Sequence, residues 1–512
     1  MAEYADIVIL NGKIVRFNGS NKDTCLAIRN GRILKIGDYK DIVGYIGPYT
    51  KVIDADGCSV LPGLIDTHTH LIKFGWFLDW IDLRNVGSIS DMRELVRERA
   101  SISNRGEWIL GMGWDQERFV EGRYPNKYDL DDVAPENPVV LFRICGHVAL
   151  VNSKALELVG IDRDTMDPPG GIIDRFEDGS PTGILRENAV KIIKDVALRP
   201  DFKKYVSAAE KAIYNAIING ITTVHIVSAR KEDVKVLQYL RDKGELKIRI
   251  RIYYDIEYLP ELIKLGVCRG FGDDFLKVNG VKLFIDGSLG ARTAALRKPY
   301  SDDSTTSGDI IIERESLINI IKDADTNGLQ MAIHCIGDKA IEYLLESMNN
   351  VLDKDRIIKN RHRIEHASLL SPDLIGKIKD LGLCISVQPS FIKSDFWAVE
   401  RVGVSRARWL YPFKTLIKEG IVVGGGSDIP VESINPFEAI YYAVTRGYRD
   451  GLELFNYSNK ERLSLIDAIK LYTINAAYLG FDEDVLGSIE EGKYADIIIL
   501  NKDIFSISEE NI

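Results

Sequence analysis

One pattern recurs along the chain: an amphipathic stretch closes on a glycine, and a short β-branched run follows at once. "AAEKAIYNAIING" runs into "ITTVHIV", "SLINIIKDADTNG" into "LQMAIHC", "DLIGKIKDLG" into "LCISVQ", and "FKTLIKEG" into "IVVGGGSD". Glycine supplies the left-handed residue that stops a helix. Continuous apolar runs suit strands covered on both faces, the condition of a parallel sheet layered with helices. Such strands fall before His68 and near residues 221, 247, 277, 329, 361, 383 and 421. Eight parallel strands close a (β/α)8 TIM barrel, so the expected fold class is α/β with that barrel at its centre.

The two ends nearly repeat each other. "YADIVILNGKIV" begins at Tyr4 and "YADIIILNKDIF" at Tyr494, and the first continues through "LAIRNGRILKIG", which reads as another hairpin. A twin this short is no solenoid. Both ends are expected to join one small β-sheet (sandwich) domain, composed of residues 1–59 and 485–512, with the barrel over 60–484. The interval from about 72 to 200 is too long for one βα connection. It holds "WILGMGW", "PVVLFRI" and the loop cluster "MDPPGG", and reads as a subdomain inserted after the first barrel strand, over the barrel mouth.

Composition removes several function classes. Hydrophobic residues make up 45% against 28% charged, enough for a packed core, and the net charge of -10 comes without the basic face that a nucleic-acid binder needs. The short basic run "RVGVSRARW" reads as a solvated helix face. The six cysteines (Cys25, Cys58, Cys145, Cys268, Cys335 and Cys384) form no CxxC pair, in keeping with reduced thiols. "MAEYADIVIL" has no charged leader, and no apolar run approaches the roughly 20 residues of a membrane span. The expectation is a cytoplasmic protein with a small-molecule substrate, no nucleic-acid or membrane partner, and a homodimer as a reasonable state.

Chemistry in such a barrel belongs at the C-terminal ends of its strands. "LPGLIDTHTH" puts His68 and His70 after the first strand, and strand alternation would aim both the same way. Lys282 lies in the fourth strand ("GVKLFIDGS"), His334 ends the fifth, His366 ends the sixth ("RIEHA"), and Asp428 follows the eighth ("GGGSDIP"). Singly, each has a plain reading: a core histidine, a lysine snorkelling out of an apolar strand, an aspartate capping the helix near Asn435. Jointly, four of the seven histidines fall on one rim beside a carboxylate, which is the pattern of a metal site.

The order HxH, Lys, His, His, Asp resembles the amidohydrolase superfamily. "PGLIDTHTH", "VKLFIDGSLGARTA", "HCIGDKAI", "RIEHASLL" and "GSDIPVESINPF" resemble its YtcJ-like branch, which includes N-substituted formamide deformylases, over nearly the whole chain. That resemblance implies a sheet domain split between the termini and a centre of two divalent metal ions, most often Zn2+. His68, His70 and Asp428 would hold one ion, His334 and His366 the other, and a carboxylated Lys282 would bridge them. Such a centre activates water and polarises a carbonyl, while Asp428 would carry the proton from water to the leaving nitrogen. Imidazole and carboxylate ligands also suit manganese, iron or nickel.

Substrate-binding candidates are His147, in the segment "GHVALVNSKAL" that resembles one near the pocket of that branch, His225 after "ITTV", and Arg292 in "SLGARTA". Trp114, with Trp76, Trp80 and Trp108, could line an apolar cavity, although packing is the ordinary role of tryptophan. The expected activity is hydrolysis of a C–N bond in a small amide, formamide or cyclic amide. One alternative is a mononuclear deaminase, against which stand the absence of a Glu in the HxxE place of "HCIGD" and a Lys282 left without a task. Another is a non-catalytic scaffold, against which stands the full ligand set.

Overall fold

The computed structural model describes residues 4–17, 23–198 and 201–512. The chain forms two compact units, one of residues 1–74 with 209–512 and one of residues 75–208.

The first unit is built on eight parallel strands: β1 (Leu64–Thr69), β2 (Ile221–Ala229), β3 (Arg249–Asp255), β4 (Leu276–Phe284), β5 (Gln330–Cys335), β6 (Arg363–His366), β7 (Cys384–Val387) and β8 (Val423–Gly425). Each pairs with the next in sequence order. The join between β8 and β1 is not a full ladder. It consists of a single parallel bridge between Thr69 and Ile429, with the His70 N–H donating to Ile429 O at 2.9 Å and the Asp428 N–H to His68 O at 2.7 Å.

The helices that cover this ring follow from local sequence. Pro372–Leu381 starts with proline at its first turn, where the missing N–H costs nothing, and buries Leu374, Ile375 and Ile378 against the sheet. It stops at Gly382, whose φ of 77° is open to glycine at no steric cost and whose N–H caps the carbonyls of Ile378 and Lys379. After β8, the helix Pro436–Thr445 is capped by Asn435, which accepts from the Phe437 N–H. Asp428 is therefore not needed as a cap.

The near-identical ends enter two different sheets, which share one core. Ile7–Leu10 lies between Cys25–Arg29 and Lys51–Asp54 in a four-stranded sheet whose far edge is Arg32–Gly37. Both edges of Ile7–Leu10 are thus occupied by nearby chain. The C-terminal segment bonds along the free edge at Gly31 and Ile33, then crosses to a three-stranded sheet, where Ile497–Ile499 runs antiparallel to Ser59–Pro62 beside Lys13–Ile14. Ile9, Leu26, Ile28 and Ile33 of the first sheet share one core with Ile14 and Val60 of the second. The terminal sheets are also tied to the barrel strands, since Arg249 pairs with Asp496 at 2.7 Å.

The second unit, inserted after β1, carries a six-stranded mixed sheet in the order 171–175, 181–187, 148–151, 139–143, 109–114 and 81–82. Among the described residues no helix is long and apolar enough to cross a membrane, and all six cysteines are free.

Candidate metal centre

His68 is the penultimate residue of β1, His70 follows its end, and Asp428 stands three residues beyond β8. Strict alternation is not what aims the histidines. Against β2, Val224 pairs with Asp66 but Ile226 with Thr69, so β1 slips register at His68, and His70 lies past the strand. The Asp428 backbone takes a left-handed φ of 58°, and its bond to His68 O pins the turn across the join. Asp428 Oδ1 lies 3.4 Å from His68 Nε2 and 3.3 Å from His70 Nε2, and one ligand atom from each residue falls within 4.8 Å of the others. That spacing is what three ligands of one ion require.

His334, His366 and Lys282 extend the cluster. The ring centroid of His366 is 4.8 Å from that of His68 and 4.6 Å from that of His334. His366 closes β6 with φ 73° and Ala367 follows with φ 49°, two strained residues that turn the chain at the strand end; such positions cost about 1–3 kcal/mol each. The Ala367 N–H is held on the carbonyls of Cys335 and Glu365. Hydrogen bonds set which nitrogen of each ring is free. His334 Nε2 donates to Gly287 O at 2.9 Å, leaving Nδ1, and His366 Nδ1 donates to Gln388 Oε1 at 2.7 Å, leaving Nε2. Lys282 is 1% exposed, and its Nζ has no hydrogen-bond partner among the described residues; the ring of Phe284 lies 4.9 Å away.

The electrostatics favour ligation. Burial holds His68, His334 and His366 well below the usual imidazole range, helped by Lys282, so all three are neutral and keep a lone pair. Burial would raise the Asp428 carboxyl, but His68, His70 and Lys282 outweigh it and hold it below its ordinary value. Burial also pushes the Lys282 amine down to about 8. Imidazole nitrogens, an ionised carboxylate and an unpartnered buried amine fit divalent metal ions, with the amine serving only once converted to an anion.

Several participants escaped the sequence reading. Glu365 accepts from His68 Nδ1 at 2.5 Å and is fully buried. Arg363, two residues earlier on the same face of β6, places Nε 2.6 Å from Glu365 and donates to Thr67 O at 2.9 Å. Asp66 accepts from the backbone N–H groups of His68 and Ser427, each at 3.0 Å, and burial pushes its carboxyl up to about 7. Asp286 fixes the loops after β4 and β5 by accepting from Ala295, Ile336 and Gly337.

Each of the four substrate-binding candidates has a protein partner of its own. His225 is mid-strand, because β2 runs on to Ala229; it is fully buried, and its Nδ1 accepts from Arg363 at 2.8 Å. Trp114 is a core residue of the inserted unit, and its indole N–H donates to Leu141 O at 2.8 Å. Arg292 is engaged by Asp302 at 2.8 Å, which also binds Arg401. His147 is exposed in the inserted unit and meets Glu187 at 3.0 Å. Trp80 and Trp108 pack on a second core of that unit, and Trp76 packs on Tyr205.

A model of the amidohydrolase family, Amidohydro_3, matches residues 51–512. The chain is 35% identical to the protein LONG AFTER FAR-RED 3 of Arabidopsis thaliana, over 97% of its own length and 87% of the relative's. It is 34% identical to YtcJ of Bacillus subtilis (strain 168), over 94% and 91%. With the N-substituted formamide deformylase of Arthrobacter pascens it shares 26% identity over 98% and 94%. Among solved structures, an uncharacterized metal-dependent hydrolase from Pyrococcus horikoshii OT3 superposes with a TM-score of 0.84 at 34% identity, covering 98% of this chain and 99% of the other.

Proposed function

The chain belongs to the amidohydrolase family, and from that premise we propose that it hydrolyses a carbon–nitrogen bond, in an amide, formamide or cyclic amide, of a small molecule at a two-metal centre. The observation that carries this reading is the gathering of neutral imidazoles, an ionised carboxylate and an orphaned buried amine at the C-terminal end of one barrel. His68 and His70, through Nε2, and Asp428 are the ligands of one ion; His334, through Nδ1, and His366, through Nε2, are those of the other. Imidazole and carboxylate donors suit Zn2+, with manganese, iron and nickel as the competitors.

Lys282 completes the set as a carbamate. Its amine, held near 8, has an accessible neutral form that attacks carbon dioxide; an N–C bond forms, a proton leaves, and a buried cation becomes an anion with two oxygens. When bound, the ions supply the acidification of water and the polarisation of the substrate carbonyl. Asp428 contributes the proton transfer. Its carboxylate is ionised at neutral pH, so one oxygen can accept the proton of the attacking water and return it to the nitrogen as the C–N bond breaks. The formamide class is supported by the name of the Arthrobacter pascens relative.

The test is the metal content of protein purified without chelator, followed by a screen of N-substituted formamides, N-acyl amino acids, cyclic amides and aryl esters. About two ions per chain with turnover of a C–N substrate is expected. One ion with deamination would transfer the site to the mononuclear class, and a metal-free, inactive protein would leave a scaffold.

A further inference from the structure

The interior of the barrel below the rim carries a second polar layer that the proposed chemistry does not use. Glu365 and Arg363 are both 0% exposed, as is His225, and the three side chains are linked in series. Arg363 makes two donations and one ion pair: one terminal nitrogen donates to His225 Nδ1 at 2.8 Å and the other to Thr67 O at 2.9 Å, while Nε lies 2.6 Å from Glu365 Oε1 as a charge contact without hydrogen-bond geometry. The guanidinium also lies 4.3 Å from the centroid of the Tyr253 ring. Glu365 uses its other oxygen on His68 Nδ1 at 2.5 Å. The chain therefore runs His225, Arg363, Glu365, His68, and it ends 3.4 Å from Asp428 on the far nitrogen of His68.

A buried ion pair of this kind is poor evidence for stability, because desolvating two charges can cost more than their attraction returns. Here the pair has a direction. A carboxylate on Nδ1 fixes the tautomer with the proton on that nitrogen, which leaves the Nε2 lone pair for a cation, and it makes the imidazole a stronger donor. Arg363 lies against the oxygen of Glu365 that His68 does not use, Nε 2.6 Å from Oε1, so the carboxylate is held between a planar guanidinium on one side and the imidazole on the other. Neutral His225 offers Arg363 a lone pair instead of a competing charge. Arg363 reaches β1 as well, at Thr67 O, so the strand that carries His68 and the carboxylate that orients it are held by one rigid group.

We propose that Glu365 is a positioning residue that orients and polarises His68 as a metal ligand, and that Arg363, seated on His225 and Thr67, holds Glu365 for that task. The inference rests on the reading of His68 as a ligand, and the test separates the two. Metal-free protein is titrated with Co2+, with affinity read by competition against a chromophoric chelator and ligand geometry by the visible d–d absorption. Thermal midpoints of the metal-free forms are recorded alongside. Glu365→Gln is expected to bind Co2+ about 10–100-fold more weakly than wild type, with an altered absorption band. His362→Gln is the contrast: its imidazole sits in a buried pair with Asp325 at 3.1 Å, and the change should lower the midpoint while leaving affinity and spectrum as in wild type. Should Glu365→Gln not fold, Arg363→Met/Glu365→Gln, which removes both charges together, takes its place with the same expectation. Wild-type affinity and spectrum in whichever variant folds, or failure of both to fold, overturns the proposal in favour of a purely structural pair. Wild type that takes up no Co2+ would instead defeat the metal-centre reading itself.

Discussion

Replacing Lys282 should make the metal-free protein more stable while it destroys the metal site. Lys282→Met keeps the length and most of the volume of the side chain and removes the charge. The wild-type amine falls from an ordinary 10.5 to about 8 because it is buried. At about 1.4 kcal/mol per pKa unit, that drop means a buried ammonium costs the folded state about 3 kcal/mol. The pH course follows from linkage. Below about 8 both folded and unfolded chains carry the proton, and the cost is borne in full. Between about 8 and 10.5 the folded chain releases its proton first, so wild-type stability rises with pH, and above 10.5 the cost is gone. The assay is denaturant unfolding of chelator-treated protein in carbon dioxide-free buffer, from pH 7 to 10.5, beside a measurement of Zn2+ uptake. Lys282→Met should be more stable than wild type by about 3 kcal/mol at pH 7, with the gap closing towards pH 10.5, and should retain little metal. A metal-free variant no more stable than wild type at pH 7, or a gap that does not change with pH, would refute the argument that an uncompensated amine is stored at this position.

Asp428→Asn should lose about 10²–10⁴ in kcat while the barrel and part of the bound metal remain, since the amide keeps the shape and gives up the basic oxygen; kcat on a substrate found by the screen and metal per chain by elemental analysis check both halves. Removing residues from 485 onward takes away Ile497–Ile499 and bares the edge of Ser59–Pro62, so the truncated chain should aggregate or melt at a lower temperature than the full chain, as followed by light scattering and thermal unfolding.

The barrel could be read from the sequence because local and global signals agree. A helix that must stop at Gly382 and a strand apolar on both faces leave little choice of layer. Once eight strands are counted, His68, His70, Lys282, His334, His366 and Asp428 announce themselves by falling at the ends of five of them. What stayed hidden was set by tertiary partners. In "RIEHA" the histidine carries a signal, while Arg363 and Glu365 look like the ordinary polar residues of a short strand until the far side of the barrel supplies Thr67, His68 and His225. The strand expected to end near His225 runs four residues further and leaves that histidine buried. Nothing in the sequence ties Arg292 to Asp302, its partner in the fold. The repeated ends make a related point: pairing depends on which edges are open to a segment, and near-identical letters have different neighbours.

The join between β8 and β1 has a temporal meaning as well as a spatial one. It is the most sparsely laddered contact in the ring, a single bridge where other neighbours pair over three residues or more, and His68, His70 and Asp428 straddle it. During synthesis, the first two donors emerge early and the third only after most of the chain, so the trio is complete only when the last barrel strand arrives. An ion held by those three would act as a clasp on the ring, bound tightly by the closed form alone, and by mass action it would favour closure to the same extent that closure favours it. Loss of the ion and opening of the barrel would then be one event seen from two sides, and the rate at which a chelator strips the metal would time how often the ring parts.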